Sequence, residues 1–496
     1  MRRILLFLLV SIFTTLFMQA QPCREVIAYF PSWKWYNRGQ LVNPFTIDYR
    51  RYTAINYAFF QPNLDGSISP FDPHADKTLL LGKISPSAPP SYARRKDFGK
   101  PAWHDGESSL VKRAHDRSVK VLISIGGWTM SDPFPYIAAS EEKRKRFAHY
   151  CNEMVRVYGI DGIDIDWEYP GYAAHNGSSA DKGNFTLLLE TVRDSLDALE
   201  RETYRKLLLS AAFGVATSRM AEIEWGKVKY LLDHVNLMTY DFYGSDFHQT
   251  NHHAPLFSPA KGLEGFDLHS AVHHLMDRHG VPAAKINIGL AFYGRSLKTK
   301  GSPDLHVASR RAPDSSTFPE DGGAPMFYNL LARQNLFNYH WDSLAQAPYL
   351  KGKRSLNTFV TFDDEKSIAR KAGYILDHDL AGAIIWDITG DYVESRPGSG
   401  VVERTPLADA LFDALCQVAD ASPVAVNYEP SGRLWAKLPQ LWSPVSTLIK
   451  RKVQVGLSKE SSKKGKPKSR KEKKSGKKDR KKMKGKVPER YFDGGW

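Results

Sequence analysis

Apolar and charged residues alternate most sharply in GIDGIDIDWEYPG, from Gly159 to Gly171, where Asp161, Asp164, Asp166 and Glu168 are spaced by Ile163, Ile165 and Trp167. Successive side chains of a β-strand point to opposite faces, so residues two apart share one. The pattern therefore predicts a strand with Asp164, Asp166 and Glu168 on one face and Ile163, Ile165 and Trp167 on the other. Covered on both sides, such a strand packs its apolar face on helices and turns its acidic face into an enclosed site. Three close buried carboxyls repel one another, which argues for a use of their shifted acidity.

Seven other short apolar runs accompany this one: VIAYF from Val26, YTAINYAFF from Tyr52, KVLISIGGW from Lys120, LLLSAAFG from Leu207, HVNLMTYDF from His234, INIGLAFYG from Ile286 and AGAIIWDITG from Ala381. Amphipathic stretches such as EKRKRFAHYCNEMVRVY and NFTLLLETVRDSLDALERE lie between them. Near-continuous apolar strands alternating with helices predict a parallel sheet covered by helices. Eight such units predict an α/β fold, a closed (β/α)8 TIM barrel, with functional residues at the C-terminal strand ends. Glu168 sits at the end of the fourth run. A doubly wound open sheet is the competing architecture, but no Gly-rich phosphate loop follows the first run. Two long connections break the repetition, 61–109 and 294–362. The second is too long for a plain loop and predicts a small α+β insertion between strand 7 and helix 7.

Composition changes this picture mainly at the two ends. Residues 1–20 read as a secretory signal peptide, with Arg2 and Arg3 ahead of an apolar stretch and Ala20 at the expected cut, so the protein is expected to be secreted or extracytoplasmic. That stretch is too short for a comfortable membrane span. The net charge of +15 is concentrated: residues 451–496 hold 19 Lys and Arg against 5 Asp and Glu. The catalytic barrel is expected over 21–420, a Pro-marked linker over 421–458 and a disordered Lys-rich tail over 459–496. Such a tail either stays solvated or binds anionic surfaces; without interleaved aromatics, nucleic acid is not expected as a partner. Three widely spaced cysteines give neither a disulfide framework nor a zinc motif.

Candidate chemistry then narrows. A calcium loop also spaces acids two apart, but it needs a solvated turn with a central Gly, and Ile163, Ile165 and Trp167 do not fit one. The pairs His252-His253 and His273-His274 point apart and show no third ligand at zinc-like spacing. They read as solvated surface residues, so no metal is expected. No phosphate loop or nucleotide fingerprint appears, so no cofactor is expected.

DGIDIDWEYPG, with SIGGW from Ser124, MTYDFYG from Met238, GLAFYGR from Gly289 and Trp386 in GAIIWDITGD, resembles the chitinases of glycoside hydrolase family 18. The resemblance runs from about Val26 to Val418, with the motifs in family order, and the segment around WDSLAQAPYL looks like the α+β insertion of one large subgroup. It implies a retaining, substrate-assisted hydrolysis of chitin or chitooligosaccharides by a monomer. Glu168 would be the general acid and base. Asp166 would orient the substrate's acetamido group, Asp164 would share a proton with Asp166, and Tyr240 would bind the acetyl oxygen. The resemblance also implies substrate contacts from Trp386, Asp241, Arg295, Met238 and Trp128, with Tyr29 and Phe59 as pocket or barrel filling and Ser124 touching Asp164. Lectin-like relatives usually lose the acid, which is present here. Relatives that cut peptidoglycan or N-glycan cores remain an alternative.

Overall fold

The computed structural model describes residues 24–82 and 108–416. The expected signal segment, most of the first long connection, and the expected linker and basic tail lie outside the described residues. Each apolar run forms a strand: β1 (Glu25–Pro31), β2 (Ala54–Pro62), β4 (Lys120–Gly126), β5 (Gly162–Asp166), β6 (Leu208–Phe213), β7 (His234–Leu237), β8 (Ile286–Ala291) and β13 (Gly382–Trp386). They neighbour one another in the order β1-β13-β8-β7-β6-β5-β4-β2, and β1 also pairs with β2. All these pairings are parallel. The sheet thus closes into the eight-stranded barrel.

Helices cover the outside because their sequences have one apolar face and clear ends. Glu141–Tyr158 starts at Ser140, whose side chain accepts from the Lys143 N–H, and stops at Gly159 with φ of 70°. A residue with a Cβ is strained in that left-handed conformation, so glycine suits the stop. Asp181–Thr203 packs Phe185 edge-on against Trp167 of the acidic run, with centroids 5.7 Å apart. Phe134 stacks on the same indole at 5.3 Å. Trp167, Ile163 and Ile165 are buried in this helical shell, and truncating such an isoleucine to alanine costs about 2–5 kcal/mol.

The interior of the barrel is polar at one level. Asn56, Ser124, Asp164, Ser210, Asn236 and Asn287, from six strands, are all buried. Register explains their meeting, because Ser124 lies beside Asp164 and Asp164 beside Ser210 in the parallel ladders.

The two long connections differ. After β2, the short β3 (Ile68–Pro70) folds back antiparallel, and a helix capped by Asp72 covers Pro73–Leu81. After β8 the chain builds a four-stranded antiparallel sheet from β9 (Gly294–Lys298), β10 (Phe337–Asp342), β11 (Ala347–Gly352) and β12 (Thr358–Phe362), in the order β10-β11-β12-β9. A helix over Phe327–Ala332 precedes β10. The barrel resumes with the helix Glu365–Asp377.

Candidate active site

Asp164 and Asp166 lie on β5, and Glu168 follows its C-terminal end. Asp164 is fully buried and accepts four hydrogen bonds from four other strands of the barrel. Tyr29 Oη and Ser124 Oγ donate to its Oδ2 at 2.9 and 2.7 Å; Ser210 Oγ and Asn236 Nδ2 donate to its Oδ1 at 2.5 and 3.2 Å. Burial raises the Asp164 carboxyl, and these donors offset part of that rise. Asp166 sits one step nearer the barrel mouth, 4% exposed, and its Oδ1 has no hydrogen-bond partner among the described residues. Burial, reinforced by the charges of Glu168 and Asp164, pushes Asp166 well above the usual carboxylate range. No hydrogen bond joins Asp164 to Asp166 among the described residues. Both oxygens of Asp164 are engaged by its ring of donors instead.

Glu168 is half-buried. Burial lifts its carboxyl to about 7, with the nearby Asp241 charge adding to the rise and a hydrogen bond from Tyr169 opposing it. Its backbone is fixed on two sides. The Glu168 N–H donates to Ser131 Oγ at 2.8 Å, and His175 Nδ1 lies 2.6 Å from the Glu168 carbonyl oxygen. Ser131 in turn donates to the Gly127 carbonyl at 2.9 Å, tying the end of β5 to the loop after β4. That loop needs both glycines of SIGGW. A Cβ on Gly126 would meet the Asp166 carbonyl oxygen at 2.2 Å, and one on Gly127 would meet the Phe59 ring at 2.6 Å.

Two strands along from the acids, Met238, Tyr240 and Asp241 follow the end of β7, each half-buried. Tyr240 packs edge-on to Tyr293 with centroids 6.2 Å apart. Burial and then the charge of Asp166 push its phenol well above the usual range, so it remains a proton-bearing donor. Asp241 and Arg295 form a bidentate pair, Nε to Oδ1 and Nη2 to Oδ2 both at 2.7 Å. Burial would raise the Asp241 carboxyl, but the Arg295 charge and the His253 ring, with Nδ1 3.5 Å away, hold it below its ordinary value.

Aromatic rings form the remaining wall. Trp386, half-buried at the end of β13, stacks on Phe59 and tilts against Tyr29, each at 5.7 Å. Trp33, in the turn after β1, extends this surface: its centroid is 5.8 Å from Phe59 and 6.5 Å from Trp386. Trp128 stands apart from that cluster, against Tyr172 at 5.8 Å and His175 at 4.6 Å.

Several residues of this site escape a reading of the sequence. Trp33, Ser131, His175 and His253 lie outside the strand-end motifs. The two histidine pairs also require correction, since His252 and His253 are fully buried rather than solvated. The insertion covers them: His252 Nε2 lies 3.2 Å from Asp342 of β10, and the His253 N–H donates to Thr361 of β12. His273 and His274 are half-buried at the end of a helix. Asp161, the first acid of the alternating run, faces away from the site and binds His115 and Arg205 at 2.7 and 2.9 Å.

The sequence pattern of the Glycosyl hydrolases family 18 matches residues 25–391. The chain belongs to that family. This family 18 chain is 31% identical over 410 residues to chitinase A1 of Niallia circulans, an overlap of 75% of this chain and 57% of that protein. It is 32% identical over 328 residues to a chitinase of Autographa californica nuclear polyhedrosis virus, across 62% of this chain and 58% of the relative. It therefore spans under three fifths of the length of these two relatives. Among solved structures, a chitinase from Bacillus thuringiensis aligns with a TM-score of 0.67 at 28% identity, covering 80% of this chain and 70% of the other. A family 18 N-acetylglucosaminidase from Paenibacillus barengoltzii aligns with a TM-score of 0.60 at 30% identity, covering 79% and 100%.

Proposed function

We propose that the protein is a secreted chitinase that hydrolyses β-1,4-linked N-acetylglucosamine polymers with retention of configuration, using the substrate's own acetamido group as nucleophile. The carrying observation is the file of carboxyls along β5: Asp164 saturated with donors, Asp166 with an oxygen left over, and Glu168 at the mouth with its acidity set near neutral. Family 18 enzymes are substrate-assisted, and each group here has chemistry suited to one step.

Glu168, protonated, gives its proton to the glycosidic oxygen as the C1–O bond breaks. The acetamido carbonyl oxygen attacks C1 and closes a cyclic oxazolinium ion. Asp166, its proton passed back to Asp164 once substrate is bound, accepts the acetamido N–H through its spare oxygen and offsets the developing positive charge. Tyr240 donates its hydroxyl to the acetyl oxygen. Glu168, now ionised, takes a proton from the water that opens the ring at C1, and the product keeps its β configuration.

Trp386 floors the cleaved-sugar subsite, since a pyranose presents C–H groups to an aromatic face. Asp241 and Arg295 bind sugar hydroxyl and carbonyl groups, Met238 and Trp128 line the cleft, and Tyr29, Phe59 and Ser124 support the acids and the floor. Comparing chitopentaose with cellopentaose tests the reading. Cleavage of the acetylated oligomer alone supports it, and comparable cleavage of cellopentaose rejects it.

Export rests on residues 1–20, and the basic segment 459–496 supports retention on anionic surfaces. Deleting 458–496 should leave turnover of short oligomers unchanged while weakening retention on an anionic surface at 0.1 M but not 1 M salt, over which the Debye length falls from about 10 to about 3 Å. Retention that is salt-independent and equal in both forms rejects that role.

A further inference from the structure

Away from the strand ends, in the outer helical layer, three imidazoles meet. One ring nitrogen from each of His269, His273 and His378 lies within 4.8 Å of the other two. His269 and His273 are four residues apart and share a helical face, on the helix Leu268–His273. His378 caps the helix Glu365–Asp377. The third ring therefore comes from a segment about a hundred residues away, which is why the sequence pairs give no sign of it.

The second nitrogen on each ring separates this cluster from a chance meeting. His269 Nδ1 lies 3.1 Å from the Tyr374 hydroxyl, His273 Nδ1 lies 3.2 Å from an Asp277 carboxylate oxygen, and His378 Nδ1 lies 3.0 Å from the Tyr374 carbonyl oxygen. The carboxylate and the carbonyl can only accept, so His273 and His378 carry their proton on Nδ1 and leave Nε2 with a free lone pair, and the Tyr374 hydroxyl can accept from His269 Nδ1 in the same way. The Nε2 of His273 is buried and has no partner among the described residues. Metal-binding histidines characteristically engage their other nitrogen with a carboxylate, a carbonyl or a similar oxygen, and these partners orient the ring. Tyr374 does so for two of the three, and its ring also stacks on His378 at 3.9 Å.

We propose that His269, His273 and His378 bind one divalent zinc ion through their Nε2 atoms, with water completing the coordination. Imidazole nitrogen suits zinc among the common divalent ions. Nitrogens about 2.0–2.1 Å from a tetrahedral zinc stand about 3.4 Å apart, so small rotations of these half-buried rings close the site. The ion ties the helix ahead of β8 to the helix ahead of β13, two neighbouring strands of the barrel. Its effect falls on stability, because a ligand that binds only the folded state shifts unfolding toward higher temperature.

The test uses the whole chain without a histidine tag, stripped with a chelator and titrated with zinc chloride by calorimetry, followed by thermal melts. Saturable binding of one equivalent is expected, with a rise in Tm of roughly 3–6 °C at a hundredfold excess over Kd. The double variant His269→Gln with His378→Gln should bind at least tenfold more weakly, while His149→Gln, at an exposed position, should bind as the parent does. Absence of saturable binding overturns the proposal, as does equal affinity in the double variant. If circular dichroism shows that the double variant does not fold, His273→Gln alone provides the comparison, and unchanged affinity there overturns it equally.

Discussion

Trp386 stacks on Phe59 with ring centroids 5.7 Å apart and planes 22° apart. Phe59 thereby holds the indole at the end of β13 in one orientation, with Tyr29 on another side. Removing the indole should cost substrate binding more than folding, since it is only half-buried. Trp386→Ala is expected to raise KM for chitin oligomers roughly ten- to thirtyfold, about 1.4–2 kcal/mol. Steady-state kinetics with a circular dichroism control checks this.

The file of acids makes a sharper prediction. Glu168→Gln should keep the fold and oligosaccharide binding while kcat falls by about 10² to 10⁴, the usual worth of a positioned proton transfer. Asp166→Asn should also lose activity although Glu168 is intact, because an amide cannot offset the charge on the oxazolinium ion. Near-normal turnover by either variant removes that residue from its role.

Glu168 also predicts two pH effects, both unfavourable as pH rises. Its carboxyl is raised from the ordinary 4.5 to about 7, and catalysis needs the protonated form. The kcat/KM profile should therefore fall as pH rises through about 7. For stability, the folded state binds more protons than the unfolded state between those two values, so stability drops as pH climbs from about 4.5 to 7. Glu168→Gln removes the buried charge. It should melt higher than the parent at pH 8, by roughly 1–3 kcal/mol of added stability, and about equally at pH 4.

The bidentate pair of Asp241 and Arg295 predicts that a conservative change is not neutral. A lysine ammonium cannot make two parallel bonds to a carboxylate. Arg295→Lys is expected to raise KM about tenfold with a smaller change in kcat. An unchanged KM would remove the pair from substrate binding.

Much of the fold was legible because barrel strands are buried on both faces, so each appears as an uninterrupted apolar run, and β5 was marked further by its two-residue alternation. The interior ladder was less visible. Ser210, Asn236 and Asn287 carry no motif of their own, and register alone brings the first two to Asp164. Trp33 was hidden for another reason: the turn after β1 has no periodicity to set SWKW apart from an ordinary loop. His253 was misread because its environment is made by β12, more than a hundred residues later. Local patterns report which face is buried, whereas contacts across an insertion depend on packing that no short stretch encodes.

The account's central claim is that the substrate's acetamido group, and not water directly, attacks C1 beside Asp166 and Glu168. Proton NMR of the first products from a chitin oligomer, recorded before mutarotation, tests it most directly. The account predicts that the new reducing end appears as the β anomer; initial appearance of the α anomer would contradict it.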